Sequence, residues 1–179
     1  MRSFVPALVC GVIALSGCQE ASPDVSVAAR KAEVTIRSLM SAWESADTDL
    51  IVDLFWPQAT YDDFPNQITY QGLEEIVGYI TAVHNWGDDV YMSVGRVHVG
   101  ETGAVAEWVF SAVQNRPMGE QVPIATGREV VLNGVTIIEM QDGRIIRAAD
   151  YTDTAPMALQ LGGRIEWPGE TVLTLDDGR

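Results

Sequence analysis

The chain has 179 residues, 47% of them hydrophobic, and sets 11 Lys and Arg against 25 Asp and Glu for a formal net charge of -14 at pH 7. A surface that acidic, with no basic cluster to offset it, repels phosphate backbones and anionic headgroups and argues against nucleic acid as a partner, although it serves solubility equally well. Two cysteines, both near the N-terminus, and two histidines without ligand spacing offer no metal site; with no phosphate-binding loop, dinucleotide fingerprint or Gly-x-Ser-x-Gly elbow in the sequence, no cofactor is expected.

The N-terminus reads Met1-Arg2-Ser3 and then an apolar run from Phe4 to Leu15, too short to span a bilayer but fit for an export signal over residues 1–17. The run ends in Leu15-Ser16-Gly17-Cys18, which resembles the lipobox of bacterial lipoproteins. That resemblance implies cleavage before Cys18, a diacylglyceryl group on its thiol and anchoring in the cell envelope. Gln19 in place of Asp implies sorting to the outer membrane, facing the periplasm. With Cys10 lost in the signal and Cys18 lipidated, no cysteine remains for a disulfide or a thiolate nucleophile. Residues 18–26 then read as a polar tether, residues 27–169 as one domain and residues 170–179 as a C-terminal tail.

Within the domain, Ile36, Leu39, Met40 and Trp43 fall at the spacing that puts them on one face of a helix between Val27 and Asp47. Asp47 or Thr48 can cap a second, shorter helix through Leu50, Ile51, Leu54 and Phe55, which Pro57 cannot continue. Ala59 to Phe64 and Ile68 to Tyr70 read as short strands about a Pro65-Asn66 turn, and Gly72 leads into a third helix carrying Leu73, Ile76, Val77, Ile80 and Val83. After Asp88 the period changes. Val90 to Val99, Ala104 to Val113, Arg128 to Met140 and Arg144 to Tyr151 are rich in Val, Ile, Thr and aromatics, with turn chemistry at Gly100-Glu101-Thr102-Gly103 and Asp142-Gly143. Asn115 to Thr126 is the one long loop. Helices first and hairpin strands afterwards predict an α+β domain whose sheet buries one face against the helices.

Two segments carry a more specific signal. They are Ala59-Thr60-Tyr61-Asp62-Asp63-Phe64-Pro65 ahead of Tyr70-Gln71-Gly72-Leu73, and Asp142-Gly143-Arg144-Ile145-Ile146-Arg147-Ala148-Ala149-Asp150-Tyr151-Thr152-Asp153. With the order of elements, they make the stretch from Val34 to Gly169 resemble the SnoaL-like branch of the NTF2-like superfamily, which includes polyketide cyclases, ketosteroid isomerase and limonene-epoxide hydrolase. The resemblance implies a cone: three N-terminal helices packed on a strongly curved antiparallel sheet that encloses an apolar pocket. It places Asp150 on an aspartate that acts as acid or base, Tyr61 on a tyrosine that helps hold water in the epoxide hydrolases, and Asp63 on their asparagine. Where those hydrolases carry an Arg-x-Asp pair this chain reads Trp108-Val109-Phe110, so epoxide hydrolysis by that set is not expected. Related domains often pair through their sheet faces, which implies a homodimer.

The residues themselves leave alternatives open. Period two puts Arg144, Ile146, Ala148 and Asp150 on one strand face, with Asp150 either aimed into an apolar pocket, where its pKa would rise, or paired at the surface with Arg144 or Arg147. Trp108 and Phe110 alternate onto one face as pocket wall or plain core, and Trp43, Leu54 and Phe55 are candidates for the same wall. Tyr61 can serve a ligand or a backbone group, and Asp63 can be a turn residue. His84, near the end of the third helix, is a candidate at the pocket mouth or a helix-terminal contact. Two functions follow: acid/base chemistry of isomerase, cyclase or hydrolase type on a small hydrophobic molecule, with Asp150 acting and Tyr61 and Asp63 assisting, or a tethered domain that only binds a ligand or partner.

Overall fold

The apolar stripe of the first helix is the seam on which the molecule is assembled. The computed structural model describes residues 23–120, 122–169 and 172–175, so the segment expected as an export signal at 1–17 and the expected lipid site Cys18 lie outside the described residues. Helix α1 (Pro23–Ser45) lays Ile36, Leu39 and Met40 wholly into the core, a burial that stabilises by about 1.5–3 kcal/mol per side chain. It begins at Pro23, so its first turn occupies the end of the stretch expected as tether. No described helix is long and apolar enough to cross a membrane.

Ala46 takes a positive φ of 53° and turns the chain, and the Asp47 side chain accepts from the Leu50 N–H at 2.9 Å to start α2 (Thr48–Leu54). Phe55, expected at the end of that helix, is already extended and opens strand β1 (Phe55–Asp63). The chain reverses into β2 (Ile68–Gln71), then α3 (Gly72–Thr81) and a separate short α4 (Val83–Trp86) that the single expected third helix did not distinguish. Strands β3 (Gly87–Val99), β4 (Gly103–Gln114), β5 (Glu129–Gln141) and β6 (Arg144–Thr152) follow as hairpins. Two elements were not anticipated: α5 (Ala155–Gln160), and a small hairpin of β7 (Ile165–Glu166) with β8 (Val172–Leu173) that draws part of the expected tail into structure.

The α+β cone is present, and its sheet is mixed rather than wholly antiparallel. The strand order is β2-β1-β6-β5-β4-β3, with β1 running parallel to β6 and every other neighbour antiparallel. A tight hairpin forces antiparallel pairing only between consecutive strands, and β1 and β6 lie far apart in the chain. Irregular register within β3 and between β5 and β6 bends the sheet around the helices. The bulge near Met140 also resets the period of β6, so Ile145, not Ile146 or Arg144, shares the buried face with Ala148 and Asp150.

Candidate functional site

Three inward strand faces converge under α1 and α3. On β1 these are Phe55, Ala59, Tyr61 and Asp63; on β4, Ala106, Trp108, Phe110 and Ala112; on β5, Val130, Leu132, Thr136 and Ile138. They leave a cavity of about 610 Å³ whose lining also includes Met157 and Ala158 of α5 and the Met118–Val122 bridge of the long loop. Its wall includes Trp43, Asp63, Tyr70, Tyr79, Trp86, Trp108, Phe110, Thr136 and Asp150.

Asp150 sits on the cavity wall and is buried, with no arginine partner. Its Oδ2 accepts from the Tyr61 hydroxyl at 2.9 Å and more distantly from Tyr79 at 3.4 Å, and its Oδ1 accepts from the Thr136 hydroxyl at 2.5 Å. Behind two of these hydroxyls stands an indole: Trp43 Nε1 donates to Tyr61 at 3.2 Å, and Trp108 Nε1 donates to Thr136 at 2.8 Å. A hydroxyl has one proton, so each, by accepting from an indole on one side, is set to give its own to the carboxylate on the other. Arg147 spends its guanidinium on the opposite face of β6, on Asp62 at 2.7 Å and Glu139 at 2.9 Å, and Arg144 is exposed.

Burial pushes the Asp150 carboxyl up from its ordinary value to about 7. The hydrogen bonds from Thr136 and Tyr61 pull it back, the charge of Asp63 pushes it further, and the Tyr79 hydroxyl pulls it back again. Burial, and then the Asp150 charge, raise both the Tyr61 and Tyr79 phenols, so they remain hydrogen-bond donors at any ordinary pH. A carboxyl that changes protonation near neutrality, in contact with a cavity, is equipped to take a proton from an occupant or return one.

Asp63 is the Cα partner of Asp150 across the parallel β1·β6 pair and is itself buried. Its two oxygens accept from Asn66, from the backbone N–H at 3.3 Å and the side-chain amide at 2.8 Å, so it is both the hinge of the Pro65-Asn66 turn and a wall residue. Tyr61 does not line the cavity; it lies fully buried, and its hydroxyl donates to the wall residue Asp150.

Three residues expected at the wall or its mouth, Phe55, His84 and Leu54, are not among its lining. Leaving α2 early puts Phe55 inside the core against the Tyr61 ring, with centroids 6.1 Å apart, and it is not a wall residue. His84 is not in the wall either. Its Nε2 lies 3.1 Å from the Trp43 carbonyl in the last turn of α1, a carbonyl without a helical partner, and since a carbonyl only accepts, this nitrogen carries the proton. Trp43, Trp108 and Phe110 are wall residues. Leu54 is not, although it packs partly buried on the core. Among the described residues no cluster of three or more His, Cys, Asp or Glu is placed to hold a metal ion.

Sequence reasoning missed Tyr79 and Thr136. Tyr79 follows Ile76 by three and precedes Val83 by four, which already places it beside the apolar stripe of α3. Thr136 falls in step with Leu132 and Ile138 on the inward face of β5, where a lone hydroxyl among aliphatics calls for a buried partner.

Residues 36–148 match the family described as the SnoaL-like domain. Solved structures with this fold include TsrD from Streptomyces laurentii, 22% identical with a TM-score of 0.65, covering 74% of this chain and 96% of its own. A protein from Jannaschia sp. CCS1, assigned as a SnoaL-like polyketide cyclase, is 20% identical with a TM-score of 0.68 and covers 80% of this chain and 97% of its own. An NTF2-like protein from Burkholderia pseudomallei K96243 is 16% identical with a TM-score of 0.60, covering 73% and 97%. No curated protein matches the sequence significantly.

Proposed function

The chain belongs to the SnoaL-like domain family, and from that premise we propose that it takes a small, largely apolar molecule into its cone and that Asp150 exchanges a proton with it. The observation that carries this reading is the buried Asp150 carboxyl on the cavity wall, with its pKa near 7 and its hydroxyl donors pre-oriented by two indoles. The chemistry it suits is removal of a proton from carbon, as in isomerisation or ring closure. Water addition to an epoxide by the hydrolase set is disfavoured, because Trp108 occupies the arginine position and its N–H is committed to Thr136. A non-catalytic binding domain is the second reading, favoured by the absence of any cationic side chain among the described wall residues to hold a developing oxyanion.

A generic probe separates the two. Ring opening of 5-nitrobenzisoxazole needs only one base in an apolar pocket and releases a coloured phenolate. The enzyme reading expects turnover well above that of free carboxylate, falling about 100-fold or more in Asp150→Asn. Equal rates in the two proteins would remove Asp150 as a base and leave the binding reading.

We infer also that the domain is held at the cell envelope by lipid on Cys18, at the outer membrane facing the periplasm. A homodimer through the outer sheet face fits the exposed Tyr91, Val109, Val131 and Tyr151 on that face. A monomer in sedimentation at high micromolar concentration would rule the dimer out.

A further inference from the structure

The described wall residues contain two carboxylates, Asp63 and Asp150, and no Lys, Arg or His. The carboxylates sit on adjacent strands as Cα partners, so once Asp150 has given up its proton, at pH above about 7, its charge shares one space with Asp63. What satisfies them is neutral: hydroxyls of Tyr61, Tyr79 and Thr136 on Asp150, and the N–H groups of Asn66 on Asp63. Neutral donors fill lone pairs but leave the charge uncompensated. Arg147, the nearest arginine along β6, is turned away and held by Asp62 and Glu139.

The rest of the wall is uncharged, and much of it is aromatic. Tyr70 and Tyr79 stack at 4.3 Å, Trp43 meets Tyr79 edge-on at 5.1 Å, and Trp86 meets Phe110 at 6.4 Å. Aromatic faces carry a negative quadrupole and attract cations within about 6 Å. An anion finds no cationic side chain among the described wall residues. A compact, strongly hydrated cation would lose too much solvation on entering, whereas an alkylated ammonium leaves water at small penalty and offers methyl surface to the rings.

We propose that the natural occupant of this cavity is a hydrophobic amine, cationic at a substituted nitrogen that sits by Asp63 and Asp150, with its apolar remainder against the aromatic wall. This deepens the proposed function and rests on its reading of the cavity as a ligand site. A cation supplies the charge the wall lacks, and the apolar body replaces water along the rest of the cavity.

Equilibrium dialysis of the full chain against phenyltrimethylammonium and against tert-butylbenzene, its neutral carbon isostere, tests the proposal. The cation should bind the wild type at least tenfold more tightly than the isostere. Asp63→Asn and Asp150→Asn should each cut that advantage at least threefold and leave affinity for the isostere intact, which also certifies that the variants fold. Equal binding of the two probes by the wild type would overturn the amine proposal and leave the pocket reading standing. A preference for the cation that survives both substitutions would overturn it too, because it would report only the acidic exterior. Failure of both probes to bind would overturn the pocket reading beneath it.

Discussion

The Thr136 hydroxyl donates to Oδ1 of Asp150 at 2.5 Å, in a direction fixed by the Trp108 indole, which donates to the same hydroxyl at 2.8 Å. Thr136 is therefore a positioning residue with two separable effects. Thr136→Val keeps the shape and removes both bonds. The Trp108 N–H is left buried without a partner, at a cost of about 1–3 kcal/mol. The Asp150 pKa, which this bond lowers, should climb above its value near 7, so the carboxylate form becomes available only at higher pH. Urea melts should show the destabilisation, and carbon-13 titration of the Asp150 carboxyl the upward shift. Thr136→Ser should restore both. An unchanged titration midpoint in the Val variant would refute the positioning role.

Trp108 reaches Thr136 only because the strand beside it has no side chain at Gly134. A Cβ there would lie 2.3 Å from the indole ring carbons Cη2 and Cζ2. Gly134→Ala must therefore displace the indole, with an expected loss of about 1–3 kcal/mol from overpacking. Probe binding in the cavity should weaken with it. The double variant Gly134→Ala/Trp108→Phe, which shortens the ring, should recover most of the stability but not the hydrogen bond to Thr136. A fully stable Gly134→Ala with unchanged binding would show that the indole has room to move.

Much of this was legible because it rests on period and covalent chemistry. The stripe of Ile36, Leu39 and Met40, the alternation of Trp108, Phe110 and Ala112 and the Asp142-Gly143 hairpin each state their geometry locally. The parallel pairing of β1 with β6 is a long-range event that no local pattern encodes. For the same reason the sequence could not decide between a pocket and a salt bridge for Asp150. The answer depends on Arg147 finding Asp62 and Glu139 across the sheet, and on Tyr79 arriving from α3. The face carried by β6 was misread because a bulge shifts its period by one residue, which moves Ile146 off the buried side.

Lipid attachment at Cys18 predicts a simple partition. The mature bacterial form carries more than one acyl chain, enough for firm anchoring, so the wild-type chain should pellet with membranes and Cys18→Ser should be soluble. Mass spectrometry of the N-terminus should place the modification on Cys18. An unmodified N-terminus elsewhere, or equal partition of the two proteins, would end the lipoprotein reading.

Asp150→Asn separates charge from shape through pH. In the unfolded chain Asp150 titrates near the ordinary carboxylate value of 3.8; in the fold it titrates at about 7. Between those values the folded state keeps a proton that the unfolded state has released. Stability from this group is therefore highest at low pH and is lost as pH rises toward 7, with no further loss above. The Asn variant has no such slope. It also replaces one acceptor oxygen by an amide that faces a hydroxyl proton already directed at it by Trp43 or Trp108, whereas a protonated carboxyl can turn its own proton aside. At pH 5 the variant should thus be less stable than wild type by about 1–2 kcal/mol. By pH 8, where the wild type holds a buried charge, the difference should vanish or reverse. Urea melts of both proteins from pH 5 to 8 read this directly. A stability difference that stays constant across the range would mean that Asp150 does not titrate in this window, and with that the proton-transfer reading would be withdrawn.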